Sequence, residues 1–235
     1  MSTQKVAVIT GASQGIGAGL VDAYRQIGYA VVANSRTIDL AEADDLAVVS
    51  GDISDPATAD RIVKTAVERF GRVDTVVNNA GVFIAKRFTE YTAQDFETMV
   101  GINVAGFFHL TQRAIPLMQA AGGGHVVNIT TTLVESALSV FPSALASVTK
   151  GGIASATRAL AIEYAADGIR FNAVSPGVIK TPLHPEETHE ALAGLHPLGR
   201  IGEVDDVARG VLYLEQSPFV TGEFLHVDGG QIAGH

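Results

Sequence analysis

Residues 5–20 read KVAVITGASQGIGAGL, an apolar run that ends in a glycine-rich turn. Residues 6–9 are mostly β-branched and have no polar face, which is typical of a strand buried on both sides of a parallel sheet. Gly11 permits a sharp exit from that strand, Gly15 lets the backbone approach a ligand, and Gly17 lets the following helix pack closely. The stretch predicts a strand, a turn and a helix whose amino terminus binds phosphate. The alternative is a tight strand-to-helix turn without a ligand.

The composition is that of one folded α/β domain. The chain has 235 residues, 47% hydrophobic and 17% charged, and no Pro/Ser-rich linker divides it, so a single domain over residues 1–235 is predicted. A net charge of −9 argues against nonspecific binding to nucleic acid or to anionic membranes. There is no cysteine and the histidines are not spaced as ligands, so no metal is expected. Residues 1–5 lack a signal-peptide core and no run of about 18 apolar residues follows, so a cytoplasmic protein is expected.

Apolar strand-like runs alternate with helical patterns along the rest of the chain. The helical patterns include one that starts at Asp55-Pro56 and ends at Gly71, and a long one from Asp95 to about Ala120. Two further helical patterns follow, one that continues past Lys150 and one that covers residues 203–216. The strand candidates after the first are residues 29–34, 46–50, 73–77, 125–129, 169–174 and a last strand and turn within 220–230. This alternation predicts a Rossmann-type, doubly wound fold with seven parallel strands.

The residues after the second strand bear on the choice of cofactor. In a dinucleotide-binding unit an acidic residue about 20 positions beyond the glycines binds the adenosine ribose, whereas an arginine nearby accommodates a 2′-phosphate. Here Ser35 replaces the acid and Arg36 follows it. Arginine matches a phosphate in geometry and stays charged, so NADP(H) is favoured over NAD(H). The alternative interpretation of Arg36 is an ordinary exposed arginine at a strand end.

Two motifs carry a family resemblance. Thr-Gly-x3-Gly-x-Gly lies at residues 10–17, and Asn-Asn-Ala-Gly lies at residues 78–81, directly after the fourth strand. With the Pro-Gly segment at 176–177 and the Asp-Gly-Gly turn at 228–230, the chain resembles the short-chain dehydrogenase/reductase superfamily from Lys5 to Gly230. The resemblance implies hydride transfer between a nicotinamide cofactor and a small carbonyl or alcohol substrate.

The resemblance also implies which residues contact the cofactor. An aspartate after the third strand contacts the adenine, a role that falls on Asp52, although a turn-stabilising aspartate is the alternative. Pro176, Ile179 and Thr181 correspond to the residues that meet the nicotinamide, and Lys150 to the lysine that binds the ribose. The predicted cofactor-binding set is Gly11, Ser13, Gln14, Gly15, Ile16, Gly17, Asn34, Ser35, Arg36, Asp52, Ile53, Asn79, Ala80, Gly81, Lys150, Pro176, Gly177, Ile179 and Thr181.

The catalytic segment departs from the family pattern. The family places a serine after the fifth strand and then a Tyr-x3-Lys unit, whose phenol moves the proton while the lysine lowers the phenol pKa. Lys150 is present, but Ala146 stands four residues before it, and alanine has no proton to transfer. Thr131 is the best match to the serine, with Thr132 as the alternative. The interval from Thr131 to Ala146 is longer than is usual in the family.

Asn103 is the third predicted catalytic residue. It lies within the long helical pattern, where an asparagine lowers helix propensity and must satisfy its amide if it is buried. One interpretation is an interhelical hydrogen bond. The other follows the resemblance, in which this asparagine helps to hold a proton-relay water.

Residues 183–198 are predicted to form a lid over the substrate. His184, His189 and His196 lie in it as alternative proton donors, although solvent-facing histidines are more common. The absence of the tyrosine leaves two hypotheses open, an NADP(H)-dependent oxidoreductase with an atypical site and a nonenzymatic NADP(H)-binding sensor or assembly partner.

The two long helices are expected to pair across a two-fold axis. Phe108, Ile153 and Leu160 are expected on their outer faces, which together with the resemblance predicts a homotetramer or a homodimer.

Overall fold

The structure, a computed structural model, describes residues 4–138 and 141–234. Its strands are β1 (Val6–Thr10), β2 (Ala30–Ser35), β3 (Leu46–Ser50), β4 (Thr75–Asn78), β5 (Gly124–Ile129), β6 (Ile169–Pro176) and β7 (Phe224–Val227). Every pairing is parallel, in the order β3-β2-β1-β4-β5-β6-β7. The predicted doubly wound, seven-stranded sheet is confirmed. Residues 1–3, 139–140 and 235 of the predicted domain lie outside the described residues.

Helices cover both faces of this sheet. They are α1 (Gly15–Gln26), α2 (Pro56–Phe70), α3 (Ala93–Met99), α4 (Gly106–Ala120), α5 (Ala144–Glu163), α6 (His189–Ala193) and α7 (Val204–Gln216). Val6 and Val8 of β1 face the core shared with α2, α4 and α5, whereas Ala7 and Ile9 face the core shared with α1 and α7. This two-sided burial explains why β1 has no polar face. No helix in the described part of the chain is long and apolar enough to cross a membrane.

The predicted ends of α2 are confirmed. The carboxylate of Asp55 accepts a hydrogen bond of 2.9 Å from the backbone N–H of Ala57, and Pro56 occupies the first helical position. Gly71 ends the helix in the left-handed region, at φ 83°. Helix α2 is therefore defined by sequence signals at both ends.

The single helix predicted from Asp95 to Ala120 is more complex in the structure. It begins at Ala93, with Thr92 as its N-cap, and its middle turn over Val100–Ala105 is π-helical. Such a turn contains an extra residue and is frequent at functional sites. Asn103 lies within it, so the site described below coincides with the irregular part of the helix.

The expected outer face of the long helices was partly wrong. Ile153 is only 3% exposed, and Leu160 packs against the core beneath α5. A helix presents apolar residues at three- and four-residue spacing to the core, and these two fall on that inner stripe. Phe108 is 52% exposed as expected. The other exposed apolar side chains on these helices are Phe96, Val148 and Ile162.

A buried polar cluster joins the amino ends of the strands. We call it the Glu215 cluster, and it consists of Glu215, Tyr24, Tyr29, Thr75, His125 and Asn172. The Glu215 carboxylate accepts hydrogen bonds from both tyrosine hydroxyls and the threonine hydroxyl, and lies 2.9 Å from His125 Nδ1. Because Asn172 Nδ2 donates to His125 Nε2, the ring proton lies on Nδ1 and points to Glu215.

Opposing effects act on the pKa values in this cluster. Burial disfavours the Glu215 carboxylate, but the hydrogen bonds from His125, Tyr29 and Thr75 outweigh burial and hold its pKa at about 2. Burial also lowers the pKa of His125, and it outweighs the hydrogen bond and the charge of Glu215, which raise this pKa. The pair is therefore a neutral imidazole that donates to a carboxylate.

Candidate functional site

The carboxyl ends of the strands open into a cavity of about 490 Å³, on the opposite edge of the sheet from the Glu215 cluster. Ligands of open α/β sheets bind at this edge, and the volume lies within the usual range of ligand pockets. Every residue of the predicted cofactor-binding set lines this cavity except Gly17. Residues far apart in sequence are thus brought together as the motifs predicted.

The glycine-rich turn presents the amino terminus of α1 to the cavity. The N-cap residue Gln14 makes no side-chain capping bond, so the first backbone N–H groups of α1 have no side-chain acceptor. Gly11 has a φ of 64°, and a Cβ on Gly15 would come within 3.1 Å of Thr181. A Cβ on Gly17 would collide with the carbonyl oxygen of Gly11. Gly17 thus serves packing behind the turn, while the turn itself fits an anionic group.

The end of β2 carries the residues that bear on cofactor choice. The hydroxyls of Ser35 and Ser13 lie 3.0 Å apart. Arg36 is exposed, and its side chain makes no hydrogen bond or ion pair with any described residue. Asn34 donates through Nδ2 to the carbonyl oxygens of Val49 and Gly51, which ties β2 to the end of β3. The Asn34 side chain is therefore structural, and Arg36 is the cation at this end of the cavity with no partner among residues 4–138 and 141–234.

Asp52 stabilises its own turn. Its carboxylate accepts hydrogen bonds from the backbone N–H and the hydroxyl of Ser54, at 2.9 and 2.7 Å. Asp52 therefore has the turn-stabilising role that the sequence offered as the alternative to adenine binding. The same residue also lines the cavity, next to Ile53.

Thr10, which the sequence reasoning missed, connects the two family motifs. Its hydroxyl oxygen accepts hydrogen bonds from the backbone N–H groups of Asn79 and Ala80, at 3.1 and 3.0 Å. Asn79 Nδ2 in turn donates to the carbonyl oxygen of Thr10 at 2.8 Å. A polar residue at the end of an otherwise apolar strand was the signal that could have identified it. The Asn-Asn-Ala-Gly segment is thus fixed against β1.

Lys150 and Ala146 lie one turn apart on α5 and both line the cavity. Lys150 Nζ donates a hydrogen bond of 2.8 Å to the carbonyl oxygen of Ile129 at the end of β5. Burial lowers the pKa of Lys150 to about 8. Ala146 packs against Met99 and Leu145. At the position four residues before Lys150, the cavity is therefore lined by a methyl group.

The remaining tyrosines near this region do not take that position. Tyr91 packs on the apolar group around Ala146, but its hydroxyl donates to the carbonyl oxygen of Ile84 at 2.8 Å, and it does not line the cavity. Tyr164 packs against Phe171 beneath the sheet. Neither phenol reaches the space beside Lys150.

The two candidate threonines differ in the hydrogen bonds that their hydroxyls make. The Thr132 hydroxyl donates to Gln231 Oε1 at 3.2 Å, and the residue is 2% exposed. The Thr131 oxygen accepts from the backbone N–H of Leu133 at 3.3 Å, and its own O–H has no acceptor among the described residues. Thr131 therefore keeps a hydroxyl proton available towards the cavity, and Thr132 does not.

Asn103 lies behind the cavity wall rather than on it. Its Oδ1 accepts from the backbone N–H of Val82 at 2.9 Å, and its Nδ2 donates to the Thr149 hydroxyl on α5 at 3.1 Å. The interhelical hydrogen bond considered from the sequence is thus present. A Cβ on Gly81 would come within 3.0 Å of Lys150 Nζ and 3.3 Å of Asn103 Oδ1. The absence of a side chain at Gly81 therefore leaves room for both Lys150 Nζ and Asn103 Oδ1.

The three histidines occupy different positions. His196 is 3% exposed, and its Nε2 accepts from the backbone N–H of Val178 at 3.0 Å, so it supports the segment after β6. His184 lines the cavity, and burial, followed by the nearby His189, lowers its pKa. His189 Nε2 lies 2.9 Å from the carbonyl oxygen of His184. Of the three, only His184 faces the cavity.

An apolar wall faces Lys150 and Thr131. It comes from loops and from the segment around α6, where periodicity gives no sequence signal. Its members are Phe83, Leu133, Leu138, Phe141, Leu192 and Leu195.

Comparisons with known proteins agree with this geometry. Residues 11–231 match a family model described as enoyl-(acyl carrier protein) reductase. A 3α-hydroxysteroid dehydrogenase from Mediterraneibacter gnavus is 34% identical over 248 residues, which cover 97% of this chain and 97% of that protein. The chain belongs to the short-chain dehydrogenase/reductase superfamily. Membership assigns it to the NAD(P)-dependent oxidoreductases that act on CH–OH or C=O groups.

Two solved structures of superfamily members share the fold closely. ElxO with NADP bound has a TM-score of 0.92 and 30% identity, and the match covers 99% of this chain and 100% of that one. The 3-ketoacyl-(acyl-carrier-protein) reductase from Brucella melitensis, complexed with NADH, has a TM-score of 0.91 and 33% identity, covering 98% and 100%. Since these two relatives hold different cofactors, the choice of cofactor rests on the residues of this chain.

Proposed function

We propose that this superfamily member is an NADP(H)-dependent oxidoreductase that moves a hydride between the nicotinamide and a small carbonyl or alcohol substrate. The observation that carries the proposal is one continuous cavity, with Arg36 at one end and Thr131 and Lys150 at the other. The first N–H groups of α1, which have no side-chain acceptor among the described residues, lie between them. This order suits a molecule with a 2′-phosphate, a pyrophosphate and a nicotinamide in sequence.

The preference for NADP(H) follows from the end of β2. A carboxylate at the position of Ser35 would repel a 2′-phosphate, whereas the Ser35 and Ser13 hydroxyls can donate hydrogen bonds to it. Arg36 supplies a charge that no described residue neutralises. Together these three side chains form a site for a dianionic phosphate.

The substrate side favours an uncharged, largely apolar compound. The wall formed by Phe83, Phe141 and the four leucines lacks ionisable groups, and of the predicted lid residues 183–198 only His184 adds a titratable side chain to it. Thr131 is positioned to orient the substrate oxygen through its free hydroxyl. Lys150 is proposed to hold the nicotinamide ribose, and Asn103 to position Lys150 through Thr149.

Titration of the protein with NADPH and NADH, followed by assays of NADPH oxidation with a panel of apolar ketones, aldehydes and quinones, tests this function. We expect tighter binding of NADPH and turnover of at least one carbonyl compound. Tighter binding of NADH would overturn the proposed cofactor.

A nonenzymatic NADP(H)-binding protein is the second candidate, and Ala146 is the observation that favours it. The methyl group at this position removes the proton donor of the family while the rest of the cavity is retained. Tight NADPH binding without turnover of any compound in the panel would support the sensor and exclude the oxidoreductase.

A further inference from the structure

We propose that Lys150 itself donates the proton to the substrate oxygen, in addition to holding the cofactor. This inference rests on the proposed function. Its basis is the position of the amine in the cavity and the hydrogen bonds that it leaves unused.

The Lys150 ammonium has unused donors. Its bond to the carbonyl oxygen of Ile129 occupies one of the three N–H groups. No other described residue bonds to Nζ or pairs with its charge. Ala146, one turn earlier on the same helix, lines the cavity with a methyl group and is itself 2% exposed, so no hydroxyl at this position competes with the amine for the substrate oxygen. A carbonyl oxygen can therefore approach the amine directly.

The surroundings make Lys150 a stronger acid than an exposed lysine. The groups around Nζ come from the end of β5, from Gly81, from Asn103 of the π-helical turn and from α5, and none of them is charged. Burial alone lowers the pKa of Lys150 to about 8. A general acid is most effective when its pKa lies near the working pH. At neutral pH the amine is still mostly protonated, and it gives up its proton readily.

The other polar groups of the cavity are less suited to this step. The Thr131 hydroxyl orients the oxygen but is a very weak acid. The pKa of His184 is lowered by burial, so its ring is mostly neutral at pH 7. His196 is occupied by the Val178 backbone.

The proposed step balances. The carbonyl carbon receives the hydride from the reduced nicotinamide, the π electron pair moves to the oxygen, and a proton moves from the Lys150 ammonium to that oxygen. The products are the alcohol, the oxidised cofactor and a neutral lysine amine. Solvent water at the cavity mouth then returns a proton to the amine.

The first test needs no activity. In protein labelled with ¹³C at lysine Cε, the NMR shift of each lysine follows its protonation, and Lys150→Met assigns the Lys150 signal. We expect the Lys150 signal to titrate near pH 8. A Lys150 signal that titrates above 10 overturns the inference.

The second test separates proton donation from cofactor binding. Lys150→Arg keeps the positive charge but cannot release a proton. We expect the variant to lose about 10²–10⁴-fold in kcat, with NADPH affinity changed only a few-fold. Lys64→Arg, on the exposed face of α2, is the control and is expected to have no effect. A Lys150→Arg enzyme with kcat near the native value would overturn the inference.

The pH profile of the native enzyme is a third test, which does not depend on whether the protein accommodates the Lys150→Arg side chain. We expect the rate of carbonyl reduction to fall as the pH rises through about 8, because the ammonium is lost there. A rate that stays flat to pH 10 would exclude Lys150 as the donor and leave the proposed function intact. NADPH binding without any carbonyl turnover would instead overturn the proposed function, and the inference with it.

Discussion

The hydroxyls of Ser13 and Ser35 lie 3.0 Å apart and connect the glycine-rich turn to the end of β2. The contact brings two neutral donors to the place where many dinucleotide-binding folds have a carboxylate. Arg36 follows at once, exposed and without a partner among the described residues. The pair therefore belongs to the site at which we propose that NADPH and NADH are distinguished.

Arg36→Ala is expected to weaken NADPH binding by about 1–3 kcal/mol, the value of a charge-assisted hydrogen bond, and to leave NADH binding nearly unchanged. Isothermal titration calorimetry with both cofactors measures the difference. Arg209→Ala, on the exposed face of α7, is the matched control. Equal weakening of both cofactors would remove Arg36 from the phosphate site.

Ala146→Tyr is expected to raise the kcat for carbonyl reduction. The new phenol would lie one helical turn from Lys150, whose charge lowers the phenol pKa, and such acid–base assistance is typically worth about 10²–10⁴-fold. Steady-state kinetics and an NADPH titration of the variant provide the check, with Ala146→Phe as the control for ring volume. A fall in kcat with unchanged NADPH affinity would indicate that the ring takes up substrate space and keeps the substrate oxygen away from Lys150.

Acid is expected to destabilise the fold through the Glu215 cluster. The folded pKa of Glu215 is depressed to about 2, so its contribution to the free energy of unfolding is present above its unfolded pKa and is lost as the pH falls from about 4.5 towards 2. The pKa of His125 is also lowered, so the loss begins earlier, below about 6.5. Urea unfolding at several pH values measures both steps.

Glu215→Gln separates the two steps of this acid transition. It is expected to lower the free energy of unfolding at pH 7 by about 1–3 kcal/mol, because its amide meets hydrogen-bond donors, and to abolish the step below pH 4.5. Glu68→Gln, at the solvent-exposed Lys64 pair, is expected to change neither. An unchanged acid limb in Glu215→Gln would contradict the assignment.

The two long helices are still expected to form a two-fold interface, now through Phe108, Val148 and Ile162. Such exposed apolar side chains are typical of contacts between copies. Multi-angle light scattering at micromolar concentration is expected to show a homotetramer, and Ile162→Lys to give a smaller species. A native monomer would refute the assembly.

The fold could be predicted largely from sequence because its signals are local. The apolar run of β1, the Asp55 cap and the Gly71 stop each act within a few residues, and all three were confirmed. The prediction of the outer face of α5 was wrong for Ile153 and Leu160, which face the core. Apolar residues occur on both faces of this helix, and the sequence alone does not show which face packs against the sheet. The π-helical turn at Asn103 could not be predicted, because the spacing of the apolar residues along this helix does not indicate it.

The cofactor end of the site was more accessible to sequence reasoning than the substrate end. Glycines and the Asn-Asn-Ala-Gly segment have backbone roles that fix their residue types, so the residues around Gly15 and Asn79 were found together in one cavity. Phe83, Leu138 and Phe141 reach the substrate side from loops, where any apolar residue serves. Their placement depends on tertiary contacts, which no local pattern encodes.

The Glu215 cluster and the cavity lie on opposite edges of one sheet, and this separation bears on how the sequence can change. Substitutions around His125 or Tyr29 alter the stability of the fold at a distance from the substrate, whereas those around Leu138 or Leu192 alter the pocket without touching the buried carboxylate. A mutant library for new substrates can therefore be confined to the loops of one edge. The intact Glu215 cluster at the opposite edge continues to stabilise the fold and helps to offset the stability that pocket substitutions cost.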